Sequence, residues 1–158
     1  MIRLLKAGLF RLKKDILFWI FIFLTIGLAI LTLVRYVPIE GITLDSALNE
    51  FLIYIGLFIA IFVSIFVGKE HSQGIIRNKI IVGHSRFSIF LANLIICIIV
   101  SLLCELIYLA IIFLVGTPLL GQLQMTLSQF IGILVNTIFI IISFCSIYNF
   151  VTMLCSEI

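Results

Sequence analysis

The chain has 158 residues, 64% of them hydrophobic and 11% charged, with a formal net charge of +3 and a mean hydropathy of +1.41. A soluble domain is about 45–50% apolar and about 25% charged, so this is the composition of a membrane protein. Four spans of about 20 residues fill most of such a chain. No folded catalytic domain fits in the remainder, and a soluble enzyme, a nucleic-acid binder and a disulfide-stapled secreted module are excluded.

In chain order, residues 1–15 come first. Ile2, Leu5, Leu9 and Leu12 recur at helical spacing, while Arg3, Lys6, Lys13 and Lys14 fall mostly on the other side. That pattern predicts an amphipathic helix lying in the plane of a membrane surface. The uncharged run 16–34 is longer than a signal-peptide core and is not followed by a small-residue cleavage site, so it reads as a retained first span. An acidic outer loop over 35–50 holds Arg35 against Glu40, Asp45 and Glu50. The second span is 51–67, the third 87–115 with Glu105 as its one interruption, and the fourth 130–154. These runs are too long for barrel strands and lack their alternation. The fold class is therefore all-α, a polytopic membrane helical bundle forming one transmembrane domain.

Segments 1–15 and 69–86 carry net charges of +4 and +3, whereas 35–50 carries −2 and 116–129 none. Short loops rich in lysine and arginine stay in the cytoplasm. Both basic segments and both termini are accordingly placed on the cytoplasmic side of the plasma membrane.

The chain offers little chemistry of its own. Cys97, Cys104, Cys145 and Cys155 form no Cys-x-x-Cys pair and read as small packing residues. His71 and His84 share one loop without metal-ligand spacing. Gly68-Lys69 lacks the rest of a phosphate-binding loop, and Gly83-His84-Ser85-Arg86-Phe87 lacks the second glycine of a nucleophile elbow. No enzymatic activity, metal or cofactor is expected in this chain.

Glu105 needs a reason, because a carboxylate at a helix centre costs about 2.5–3.5 kcal/mol on insertion scales unless it is paired, hydrated or protonated. On a helix it shares a stripe with Ser101 and Tyr108, beside Cys97 and Cys104, that must face protein or a water-filled path. Two readings follow: the stripe lines a substrate route, or the carboxyl holds helices together. The first predicts that Glu105→Gln impairs activity with normal insertion. In the fourth span, Asn136, Ser143, Ser146, Asn149 and Thr152 are expected to bond across helix interfaces.

The loop 68–86 is the most informative stretch. Ile76 and Ile80 form an apolar i, i+4 pair beside Arg77, Asn78 and Lys79, which predicts a short amphipathic helix. Gly83 offers its break, and Ser85 an N-cap for the third span. Here the chain resembles the permease subunits of type-2 ATP-binding-cassette exporters, the family of bacterial drug, lantibiotic and polysaccharide export permeases. The resemblance rests on the order of parts: a basic amphipathic segment, a helix, an acidic outer loop, and a second helix running into Glu70 with Gly74 four residues on. Gly83-His84-Ser85-Arg86 then opens the third helix.

The resemblance implies that the short helix is a coupling helix docking on a separate cytoplasmic ATPase subunit, which binds ATP and Mg. Glu70, Gly74, Arg77 and Arg86 are the matching positions, and Asn93 stands where many members carry a lysine. A second permease copy, or a related permease, would complete the substrate path within the bilayer. Members have six spans, so the resemblance further implies that this is the N-terminal four-span portion. A non-transporting four-helix membrane protein, of the bacteriocin-immunity or sensor type, is the alternative that the length favours.

Overall fold

A computed structural model of the chain describes residues 2–38, 43–83, 85–121 and 124–155; Glu40, His84 and the chain from 156 onward lie outside them. Among the described residues every regular element is helical. Helix α1 (Ile2–Lys14) leads through Asp15 into α2 (Ile16–Tyr36), followed by α3 (Leu44–Ser72), α4 (Ile75–Ile81) and α5 (Arg86–Ile111). A π-helical turn (Ile112–Gly116), α6 (Thr117–Leu120) and α7 (Leu127–Cys155) complete the chain. Four helices are long and apolar enough to cross a membrane: Ile16–Tyr36, Leu44–Ser72, Arg86–Leu120 and Leu127–Leu154.

Two ion pairs mark off the apolar slab. Asp15 caps α2 by accepting from the Leu17 amide at 3.2 Å and meets Lys69 Nζ at 3.1 Å. At the opposite end Arg35 Nη1 lies 2.7 Å from Glu50 Oε1, with the Tyr54 hydroxyl donating to the same oxygen at 3.5 Å. Asp15 to Arg35 on α2, and Glu50 to Lys69 on α3, are each about 20 residues, or about 30 Å at 1.5 Å per residue. That is the thickness of a bilayer's hydrocarbon core. The end holding Asp15, Lys69 and α1 is the basic end; the end holding Arg35, Asp45 and Glu50 is the acidic end.

Charge pairing explains why α3 is longer than its apolar run. The stretch expected to be an acidic loop up to residue 50 and a span starting at 51 is already helical from Leu44, with Thr43 in extended geometry before it and Asp45 in the first turn. An acid there suits the positive end of the helix dipole. Glu50 is buried within the helix because Arg35 neutralises it. The other end likewise runs past 67 to Ser72. The third span runs on to Leu120 through Pro118, which lacks an N–H and crowds the carbonyl four residues back. The chain widens into the π turn just before it.

The core lies between α3 and α5, whose spanning windows are each 44% buried, against 28% for α2 and 17% for α7. Phe21 of α2 meets Phe58 and Phe62 of α3 edge-on, at 5.7 and 5.1 Å. Helix α1 packs along α5 rather than standing clear of the bundle. Its buried positions are Leu4, Gly8 and Leu12, while Leu9 of the expected stripe is exposed. Gly8 makes this possible, because a Cβ there would run into the Ile96 side chain of α5. Arg11, drawn toward α3, fixes the rotation of the helix.

Candidate functional site

At the basic end the chain buries a carboxylate outside the apolar slab. Glu70, one residue past Lys69, is 1% exposed. Such a group is costly unless its charge and lone pairs are all matched. Arg11 Nη1 of α1 meets Oε1 at 3.1 Å, Lys79 Nζ of α4 donates to both oxygens at 2.9 Å, and Asn93 Nδ2 of α5 donates to Oε2 at 2.8 Å. One side chain thus ties together α1, α3, α4 and α5. The guanidinium of Arg11 also lies over the Phe66 ring, 5.5 Å from its centroid.

Helix α4 spans seven residues, and none of them is buried. It is bounded by Gly74 with φ 66° and Gly83 with φ 93°, backbone conformations that other residues reach only with strain. Ser85 then caps α5, its hydroxyl oxygen accepting from the Ser88 amide at 3.2 Å. The Lys79–Glu70 pair is therefore the polar tie that seats α4 on the body. On the outside, Ile81, Val82 and Phe87 are 73%, 76% and 70% exposed. Arg77 and Arg86, also exposed, line a groove of about 540 Å³ with His71, Ile76, Ile80, Ile89 and Met153.

The four positions picked out by sequence thus separate. Gly74, at the turn before α4, Arg77 and Arg86 line one surface groove, whereas Glu70 points inward and holds the other elements. Of the partners of Glu70, Arg11 and Lys79 are not among the positions picked out, and Asn93 is named there only as standing in place of a lysine. Their signal was present: Glu70 is the one acid in a basic loop, and Asn93 is a lone amide in an apolar run.

The stripe on α5 faces protein along its whole length, with Cys97, Ser101, Cys104, Glu105 and Tyr108 all buried. Its polar members reach separate neighbours. Ser101 donates to the Cys97 carbonyl at 2.9 Å and lies 3.7 Å from Cys145 Sγ of α7. Glu105 faces Thr137 of α7 across a small void, and the Thr137 hydroxyl donates to the Ile133 carbonyl of its own helix at 2.8 Å. Tyr108 turns to the other side and donates to the Ala47 carbonyl of α3 at 2.8 Å, with Thr32 of α2 at 3.4 Å. The voids beside these residues measure about 20 Å³ at Ser101 and about 10 Å³ between Glu105 and Tyr108, near the size of one water.

Glu105→Leu, which removes the polar group facing Thr137 across the α5–α7 seam, is expected to lower stability by about 1 kcal/mol, the scale of a polar contact between membrane helices. Glu105→Gln should leave stability unchanged, as read by thermal unfolding in detergent.

On α7 the hydroxyls mostly turn back on their own helix: Ser143 donates to Phe139 O and Thr152 to Tyr148 O, at 2.8 and 2.7 Å. Serine and threonine reach the carbonyl four residues back without leaving the helix. Asn149, whose side chain is longer, crosses to α5, donating to the Phe90 carbonyl at 3.2 Å.

No family model, no curated protein and no solved structure matches the chain.

Proposed function

We propose that the chain is the membrane permease subunit of an ATP-binding-cassette exporter, with its basic end, α1 and α4 in the cytoplasm and α4 acting as the coupling helix. The observation that carries this reading is the cap of Ile81, Val82 and Phe87 beside Arg77 and Arg86, displayed from the end of α4 to the start of α5, where Glu70 clamps α4 to three other helices. Apolar groups exposed beyond the slab, rimmed by cations, mark a surface that another protein covers. A push on α4 passes through Lys79 and Glu70 into α3, and through Arg11 and Asn93 into α1 and α5. Short ion pairs between rigid helices transmit such a push as a rigid-body movement.

ATP and Mg²⁺ belong to the partner ATPase in this reading. The voids beside the α5 stripe are near the size of a single water, and in this reading the path lies between this chain and a second permease. The surface assigned to that partner is the polar notch at the acidic end, about 800 Å³, lined by Asp45, Gln124, Gln129 and Asn136. In hydrocarbon the Asn136 amide calls for such a neighbour.

The same closed interior favours a second reading, a non-transporting four-helix protein. Co-purification separates the two. The intact chain is expressed with the ATP-binding-cassette ATPases of its source genome, and one of them is expected to co-elute. Arg77→Glu and Val82→Asp are expected to abolish that association without changing membrane insertion. Failure of every ATPase to bind the unaltered chain leaves the second reading in possession.

A further inference from the structure

We propose that Glu105 is a proton-binding site within the bilayer, whose proton exchanges with water on the acidic side through the notch of Asp45, Gln129 and Asn136, with Ile133 as the partition. Three observations converge on it.

The first is the set of groups around the carboxyl. Three hydroxyls stand near it: Ser101 one turn back and Tyr108 one turn on along α5, and Thr137 across the seam on α7. Each already gives its proton to a backbone carbonyl, Ser101 to Cys97 at 2.9 Å, Tyr108 to Ala47 at 2.8 Å and Thr137 to Ile133 at 2.8 Å. A hydroxyl carries one proton, so toward Glu105 these groups offer lone pairs only. Among the described residues Glu105 forms no ion pair, and no other charged side chain lines the void beside it. A carboxylate can only accept, whereas the protonated acid has an O–H to donate. Glu105 therefore fits its surroundings as the acid.

The second is depth. Asn93 bonds Glu70, the residue after Lys69 at the slab edge. Glu105 stands twelve residues past Asn93, about 18 Å into a slab of about 30 Å. A carboxylate at that depth without a cation bears the full cost of hydrocarbon, and the neutral acid does not.

The third is access. The void between Glu105 and Thr137 measures about 10 Å³, room for one water at most. The polar notch at the acidic end measures about 800 Å³, and Ile133 lines both spaces. Toward the basic end, the void at Ser101 is walled by phenylalanines and isoleucines of α2 and α3. Water thus comes nearest to the carboxyl from the acidic side, and one water in the small void completes the relay.

The test uses the full chain reconstituted in phosphatidylcholine vesicles and read by infrared spectroscopy. The unaltered chain is expected to show a protonated-carboxyl C=O band that is lost in Glu105→Gln and displaced in Glu105→Asp, which together assign it. In heavy water the band is expected to shift down as O–H becomes O–D and the proton leaves on a water molecule. Ile133→Ala is expected to speed that shift several-fold. Leu134→Ala, which enlarges the same void without reaching the notch, is expected to leave its rate unchanged. All variants are compared at equal helix content by circular dichroism.

Carboxylate bands in place of the carboxyl band, in the difference between the unaltered chain and Glu105→Gln, overturn the proposal and make Glu105 the ligand of a cation. A carboxyl band that never moves in heavy water overturns it as well, because the proton is then sealed in. So does an equal effect of Ile133→Ala and Leu134→Ala, which removes the route through the notch. The proposal requires neither the ATPase nor a second copy, so it and the permease reading fail separately.

Discussion

Replacing Glu70 with alanine is expected to be among the most damaging single changes to this chain, lowering stability by about 3–5 kcal/mol, the usual cost of deleting one partner of a buried ion pair. The loss arises because Arg11 and Lys79 are left facing each other and Asn93 across a site built around a carboxylate. Both cations keep some access to water, 29% and 16% by side chain, which places the expected loss toward the lower end of that range. Glu70→Gln keeps the size and one acceptor but not the charge, so its effect is expected to fall between. The spatial pattern is more telling than the total. Helix α4 has no buried residue of its own, so its amides should lose protection from hydrogen exchange first, in both variants, while the centre of α5 stays protected. Unchanged exchange in α4 after Glu70→Ala would mean that the knot does not seat the helix.

The same knot shows which parts of the fold were legible in the sequence. Long apolar runs mark helices in any membrane chain, so all four spans were readable, as were the short helix after Gly74, the break at Gly83 and the cap at Ser85. Each of these is a local signal, carried by a few adjacent residues. The errors share a different cause. Treating charged residues as loop residues cut α3 short at both ends, because Glu50 and Lys69 are accommodated by Arg35 and Asp15, 15 and 54 positions away. The stripe chosen on α1 was turned for the same reason: Arg11 reaches Glu70, and Gly8 admits Ile96. Of the candidate site, Glu70, Arg77 and Arg86 stand out in the sequence, but the partners Arg11 and Lys79 that make Glu70 a clamp do not. A pairing between distant charges leaves no periodicity to read.

Tyr108→Ala is the second large expected effect, and it separates packing from transport. Tyr108 is the largest of the side chains that are almost wholly enclosed, at 1% exposure, and its hydroxyl ties α5 to the Ala47 carbonyl of α3 and to Thr32 of α2. Truncating a large buried side chain costs about 3–5 kcal/mol through lost contacts and the cavity left behind. Tyr108→Phe removes only the hydroxyl and keeps the ring, so its cost is expected near 1 kcal/mol, as for other hydrogen bonds between membrane helices. Thermal unfolding in a fixed detergent measures both. A side chain lining a water-filled route would behave otherwise, because water would enter the space left by alanine and solvate the Ala47 carbonyl, and the two variants would then differ little in stability. A gap of about 2 kcal/mol or more between them therefore places Tyr108 in a dry joint between three helices. It also moves the search for a substrate path to the outer surface of the bundle, where α7 is least buried.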